Sequence, residues 1–463
     1  MNYTMLYSPF DEAIIAQCTP QASGAIALLR LSGSNAFAIA DKISKLTGNK
    51  TISSLSTHTI HYGWIIDQHG NRVDQVLFFL MRAPASFTGD DTIEITCHNN
   101  PFIIQNIIQA AITAGARMAQ EGEFSRRAVN NNKIDIIQAE AINDLIHANT
   151  QLTLKQSLSQ LSGSLTQWVT SIEKQLIKAL AFSNASFEFL DEENIELSSH
   201  IKNIINELLA TIGTLKNTFN QQQHIRSGIR IAIIGSVNAG KSSLFNALLN
   251  QDRSIVTNIA GTTRDVIEAG LYKNSNYWTL IDTAGLRTTN DIIEQIGITR
   301  SHEQAQKADI ILLVFDGSQK LTSSEKVIYQ ELINNYTQKL IFIINKTDLP
   351  QEENSLVLNN RTYYSNDKDK KGIPLIEDAI QEKITILFNS IESPFLLNQR
   401  HYNNLICLEQ KLIIIITMLT TQPSYELISY HLNDALATLS ELTGKTISEA
   451  GMDAVFREFC VGK

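Results

Sequence analysis

Residues 229–249, IRIAIIGSVNAGKSSLFNALL, restrict the fold of their part of the chain more tightly than any other stretch. An apolar run of strand length enters Gly235-Ser236-Val237-Asn238-Ala239-Gly240-Lys241-Ser242, and an amphipathic helical pattern follows at once. G-x-x-x-x-G-K-S between a strand and a helix is a phosphate-binding loop in its required context. Its backbone N–H groups and the helix N-terminus, from Asn238 and Ala239 through Gly240 to Ser243, cradle phosphates. Lys241 reaches the outer ones, and Ser242 offers its hydroxyl to Mg2+. Such a strand is buried on both faces and calls for a parallel sheet covered by helices. From Ile229 to about Ile384, short apolar strands do alternate with helical patterns.

Later segments choose the nucleotide. WTLIDTAG ends a strand at Asp282, whose carboxylate can hold Mg2+ through water, with Gly285 placed to sense the γ-phosphate. KLIFIINKTDLP ends in Asn345-Lys346-Thr347-Asp348. The Asp348 carboxylate can accept from both the ring N–H and the exocyclic amine of guanine, and adenine lacks that amine, so GTP is preferred and a metabolic ATPase is disfavoured. AGTTRD supplies a switch threonine, Thr263 before Thr262. Ser365-Asn366 stands where a guanine-contacting loop is expected, the alternative being an unrelated surface turn. Leu286 follows Gly285 and cannot orient water as a glutamine would. Two substitutes are visible: Asn238, whose carbonyl could hold a monovalent cation beside the phosphates, and Glu294, which could orient the attacking water. Their plain readings are a loop cap and solvated surface.

The flanks differ in kind. Up to about Arg117, AIALLRLSG, HTIHYGWII, VDQVLFFLM and DTIEITC read as strands. From Lys133 to about Leu215 the period is helical, QQQHIRSG reads as punctuation, and after the α/β block long helices return. Two helical segments around an α/β block imply an inserted domain. At 463 residues, 43% hydrophobic with 8 prolines, the chain can bury several cores. The apolar run Leu412–Leu419 is too short to span a bilayer, and the start lacks a basic region before an apolar segment, so no leader peptide is expected. Four scattered cysteines read as cytoplasmic free thiols, and a net charge of -9 argues against a nucleic-acid coat while leaving room for a local basic patch. The end, AVFREFCVGK, is unusual: Met452, Val455, Phe456 and Phe459 recur at helical spacing, so the tail should dock.

Asn238, IVTNIAGTTRDVIE, DTAGLR, RAPASFTGDDTIEI at Arg82–Ile95, GEFSRRAVNNNKIDIIQAEAINDLI at Gly122–Ile146 and the terminal FCVGK together resemble the MnmE (TrmE) family of tRNA modification GTPases over essentially the full length. The resemblance implies a fold of mixed class, α/β and all-α multidomain: a P-loop GTPase domain inserted into a helical domain, preceded by an α+β folate-binding domain. The implied boundaries are 1–120 for folate binding and dimerisation, 121–222 and 386–463 for the helical segments, and 223–385 for the GTPase. It implies a GTP hydrolase with Mg2+ at Ser242, Thr263 and Asp282, and K+ at Asn238, Thr257, Ile259 and Thr262. Glu294 would be the water-orienting residue. The family is a homodimer that works with MnmG, a FAD-dependent subunit, to add an aminomethyl-type group to the wobble uridine of certain tRNAs. A reduced folate supplies the one-carbon unit. The folate region would include Arg30, Glu94, Lys133 and Lys463, and Cys460 would lie beside it as a chemical or a packing residue. Three departures stand out: Asn99-Asn100 where the family has Gly-Gly, Ser125 in GEFS, and GSVNAGKS for GRPNAGKS. If those glycines form a left-handed turn, Asn replaces them at least cost. The competing reading is a GTP-switched RNA or ribosome assembly factor without modification chemistry; no KH-like G-x-x-G follows the GTPase block.

Overall fold

A computed structural model describes residues 12–20, 24–186, 191–226, 228–249, 267–274, 276–282, 303–352, 362–366, 372–389, 395–421 and 424–462. The chain divides into two compact units, residues 1–143, 160–209 and 403–463 in one, and 144–159 with 210–402 in the other.

The first unit opens with a seven-stranded sheet made of β1 (Ile14–Gln17), β2 (Ile26–Ser32), β3 (Ser44–Leu46), β4 (Thr59–Ile66), β5 (Arg72–Met81), β6 (Thr92–His98) and β7 (Arg117–Met118). Their spatial order is β3-β4-β5-β6-β2-β1-β7, and all four strands expected from the text are among them. Alternation sends Val76, Phe78, Leu80, Ile93, Ile95, Leu29 and Leu31 into one core beneath helices Ala36–Ile43 and Pro101–Ala114. The condition of a left-handed turn is not met at Asn100, which is extended, with φ −118, and whose side chain accepts from the Phe102 N–H at 2.9 Å. The asparagine serves as an N-cap before a proline that is itself preorganised for the first helical turn.

Helix Glu123–Asn130 is tied to the sheet by charge. Arg117 forks onto Glu123 at 2.6 and 2.8 Å, the Gln120 N–H donates at 3.0 Å and Arg127 at 3.1 Å, and both Glu123 and Arg127 are only 1% exposed. Burial alone would raise the Glu123 carboxyl, but the Arg117 fork, the Gln120 N–H and Arg127 outweigh it and hold it below its ordinary 4.5. Its stabilisation is therefore complete above that value and is lost as pH falls toward the folded pKa. Glu123→Ala leaves Arg127 buried beside an empty space, and we expect a loss of about 3–5 kcal/mol. Denaturant unfolding at pH 7 measures it, and the gap between the two proteins should narrow on acidification below pH 4.5.

Helices Ile136–Ile146, Gln151–Leu161, Ser164–Ala185 and Asp191–Arg226 follow. The last runs straight through Gln221–Arg226, where the sequence read as punctuation. Gln, His and Arg do not break a helix, and the first breaker is Gly228, at φ +88. Leu165, Val169, Ile172 and Leu176 of Ser164–Ala185, and Ile428, Leu432, Ala435 and Leu439 of helix Tyr425–Thr443, are buried stripes on two helices packed together. Helix Gln399–Thr421 is, among the described residues, the one long and apolar enough to cross a membrane by length and composition. Its Leu405, Leu408, Leu412 and Ile415 form a buried stripe, while Ile413 and Ile414 are exposed.

The tail docks, with one change to the expectation. Its helix ends at Phe456, so Phe459 and Cys460 lie beyond it. Phe456 and Phe459 are buried against Ala139, with Val129, Ile134, Met452 and Val455 around them. Arg126 is ion-paired with Glu449 and, at 2.6 Å, with Asp453. Val461 bridges Glu121 in antiparallel fashion, and the Cys18 thiol donates to the Gly462 carbonyl at 3.1 Å. Gly462 has φ +98 and lies so close to Gln17 that any Cβ would overlap its carbonyl. Cys460 itself is exposed.

Candidate nucleotide-binding site

The second unit is built on a six-stranded sheet: β8 (Ile229–Gly235), β9 (Ile267–Lys273), β10 (Asn276–Asp282), β11 (Ile310–Asp316), β12 (Leu340–Asn345) and β13 (Thr362–Tyr364). The order is β13-β12-β11-β8-β10-β9, parallel throughout except for the hairpin strand β9. Helices Lys241–Leu249 and Ile373–Asn389 pack on one face and Ser323–Tyr336 on the other, which is why β11 is buried along its whole length. Parallel strands align their carboxyl ends, so Gly235, Asp282, Asp316 and Asn345 reach one edge, where ligands of open α/β sheets bind. Gly235 is level with Val314, Asp282 with Ile233, and Asn345 with Asp316.

Three positions give the phosphate loop its shape. A Cβ at Gly235 would overlap the Val314 carbonyl, while Asn238 and Gly240 take φ +62 and +92. Asn is the least costly side-chain-bearing residue at that φ, and the Asn238 side chain is exposed. The Lys241 ammonium donates to the Gly235 carbonyl at 2.9 Å and to that of Ser236 at 2.6 Å, and Ser242 and Ser243 sit exposed in the first helical turn. The ammonium and the helix N-terminus are donors that suit a phosphate, and a hydroxyl oxygen is a ligand that suits Mg2+.

The guanine side is joined to this loop. Asn345, fully buried, donates to the Ala239 carbonyl at 3.1 Å and accepts from the Ser365 hydroxyl at 2.8 Å. Ser365 is itself buried and its N–H donates to the Ile344 carbonyl at 2.9 Å, which removes the surface-turn reading for it; Asn366 follows, half-buried. Lys346 adopts φ +59 and pairs with Asp316 at 2.7 Å. Burial would raise the Asp316 carboxyl, but the Lys346 ammonium and two bonds from Ser318 outweigh it and lower its pKa. Asp348 is exposed in the turn that follows.

Of the other residues singled out, Thr257, Ile259, Thr262, Thr263, Gly285, Leu286, Glu294 and Lys463 lie outside the described residues, and of Asp282 only the backbone is described. In the first unit, Arg30 pairs with Glu94 at 2.8 Å, its guanidinium 5.2 Å from the Phe87 ring and 5.4 Å from that of Phe124. Lys133 donates to the Pro84 carbonyl at 2.8 Å. Sequence reasoning missed Asp316, although an acidic residue closing an apolar parallel strand is a visible signal. It also missed Tyr329, an aromatic at a helical core position, which carries no signal at all.

Comparison with known proteins agrees with this architecture. Residues 13–133 match the family model described as GTP-binding protein TrmE N-terminus, and residues 136–460 match that of the MnmE helical domain. Among solved structures, the G domain of the T. maritima FeoB iron transporter is 21% identical and covers 34% of this chain and 98% of its own, with a TM-score of 0.25. Aquifex aeolicus Era is 22% identical, covering 40% and 67%, with a TM-score of 0.24. Neither likeness is close enough to identify the chain. The tRNA modification GTPase MnmE of Lachnoclostridium phytofermentans is 36% identical over 98% of this chain and 99% of its own length. That of Bacillus subtilis is 35% identical over 98% and 100%. With relatives this similar from end to end and family models spanning both flanks of the nucleotide site, the chain belongs to the MnmE family of tRNA modification GTPases.

Proposed function

We propose that this chain hydrolyses GTP to GDP and phosphate as part of the machinery that modifies tRNA. The observation that carries the reading is the Asn345–Ala239 hydrogen bond, which fixes a guanine-selective Asn-Lys-x-Asp turn directly against a phosphate-binding loop. That bond supports reading the two segments as the base-binding and phosphate-binding parts of one site. Ser242, with Asp282 and Thr263, would hold Mg2+, which neutralises charge developing on the phosphates. Lys241 orients the outer phosphates, Gly285 reads the last of them, and Glu294 orients the attacking water.

Asn238, with Thr257, Ile259 and Thr262, would hold K+ in place of an arginine finger. Hydrolysis is then expected to run at least about tenfold faster in K+ than in Na+ at equal ionic strength, with Asn238→Ala losing that difference while still binding GTP. Equal rates in the two salts would remove K+ from the mechanism. GTP preference is read by competition against ATP, and equal affinity would overturn the nucleotide assignment.

The finer reading follows the family resemblance. The domain boundaries 1–120, 121–222, 223–385 and 386–463 are kept, and the protein acts in the cytoplasm. A reduced folate binds near Arg30, Glu94, Lys133 and Lys463, with Cys460 nearby. The protein works as a homodimer with the FAD-dependent subunit MnmG to place an aminomethyl-type group on the wobble uridine. Support for the dimer comes from Ile60, Tyr62 and Leu77, 59, 51 and 40% exposed on one face of adjacent strands β4 and β5. The nucleoside profile of tRNA from cells lacking the protein, with and without its restoration, tests the whole assignment.

A further inference from the structure

We propose that Tyr329 is a positioning residue for the phosphate-binding loop, acting through the peptide that joins Gly235 to Ser236. The inference rests on the GTP-site reading and extends it to a residue on a helix outside the phosphate-binding loop and the Asn345–Asp348 turn. Tyr329 lies in Ser323–Tyr336, whose start is fixed by a capping box between Thr322 and Glu325. The ring is 3% exposed, meets Phe315 edge-on at 4.8 Å and belongs to the core that includes Ala232, Ile234 and Leu313. Its position is therefore set by packing.

The hydroxyl accepts from the Ser236 N–H at 2.6 Å and reaches the Val314 carbonyl at 3.4 Å. That N–H belongs to the same planar unit as the Gly235 carbonyl, and the Gly235 carbonyl accepts from the Lys241 ammonium at 2.9 Å. One peptide plane is thus gripped at both ends, by the tyrosine at its N–H and by the phosphate-binding lysine at its C=O. Without a partner for the N–H the plane is held at its C=O alone, and any turn of it carries the lysine's anchor along. A phenol suits the task. Burial pushes its pKa up, so it stays neutral, with a lone pair for the amide and a proton for the carbonyl.

Tyr329→Phe keeps the ring and removes only the hydroxyl. In the nucleotide-free full chain, deuterium uptake of a peptide covering residues 235–241 should rise, while peptides from the rest of helix Ser323–Tyr336 stay unchanged. Affinity for a fluorescent GTP analogue should weaken about tenfold, the scale of one unmade buried hydrogen bond, with little change in melting temperature. Leu332→Val, a packing change on the same helix, is the control; it should lower the melting temperature and leave affinity as it was. Unchanged uptake in Tyr329→Phe overturns the inference, as does a loss of affinity that Leu332→Val reproduces. Failure of the unmodified protein to bind GTP would overturn the nucleotide assignment instead, and the exchange measurement would still decide the role of Tyr329.

Discussion

Deleting Phe459–Lys463 will abolish wobble-uridine modification, by at least about 100-fold, and leave GTP hydrolysis within about twofold of normal. The deletion removes Phe459, the antiparallel bridge from Val461 to Glu121 and the Gly462 contact with Cys18. It takes nothing from the second unit, whose cores on the two faces of its sheet are its own. The assay needs MnmG, a reduced folate and tRNA, with phosphate release measured in parallel. Two point variants separate docking from thiol chemistry. Gly462→Ala forces a side chain into the Gln17 backbone at φ +98, so it displaces the tail while keeping Cys460. Cys460→Ser keeps the docking and removes the thiol. If Gly462→Ala behaves like the deletion and Cys460→Ser like the unmodified protein, the tail acts by packing, and the reverse pattern assigns the chemistry to sulfur. Normal modification by the truncated chain would leave both roles without support.

The second large effect concerns the base. Asp348→Asn should weaken GTP by about 100-fold or more and gain affinity for xanthosine triphosphate, because an amide can donate to the xanthine oxygen that replaces the guanine amine. The turn has anchors at residues other than 348. Asn345 is held by Ala239 and Ser365, and Lys346 by Asp316. Competition binding with GTP, ATP and xanthosine triphosphate measures the shift; a variant that lost GTP without gaining the xanthine nucleotide would mean that the turn itself had collapsed.

What could be read in advance followed from local chemistry. The loop from Gly235 to Ser242, the turn at Asn345 and the four strands β2, β4, β5 and β6 each announce themselves within about a dozen residues. Period and turn chemistry act over that range. What escaped depends on distant partners. The tie from Tyr329 to Ser236 spans 93 residues and Asp316 to Lys346 spans 30. Asn149 meets the β9–β10 hairpin by accepting from the Tyr277 N–H at 2.8 Å and the Tyr272 hydroxyl at 3.1 Å, and no pattern around position 149 announces it. The helix through Gln221–Arg226 was missed for a different reason: polar residues without an apolar period look like a linker, yet none of them opposes helix. At Asn100 the type of residue was explained by the wrong property, since capping and left-handed turns both favour asparagine and only φ tells them apart.

The docked tail also sets a timetable. Cys18 and Gly462 are 444 residues apart, so a ribosome adding roughly 5–20 residues per second makes the two halves of that contact roughly 20–90 s apart. From the synthesis of Ala139 until that of Phe456 and Phe459, the surface around Ala139, Val129 and Ile134 has neither phenylalanine to cover it. The N-terminal sheet and the nucleotide-binding unit can both be complete while this patch still waits. This apolar surface closes only once Phe456 and Phe459 have been made, and nascent chains paused short of Phe456 are the ones that chaperones should retain.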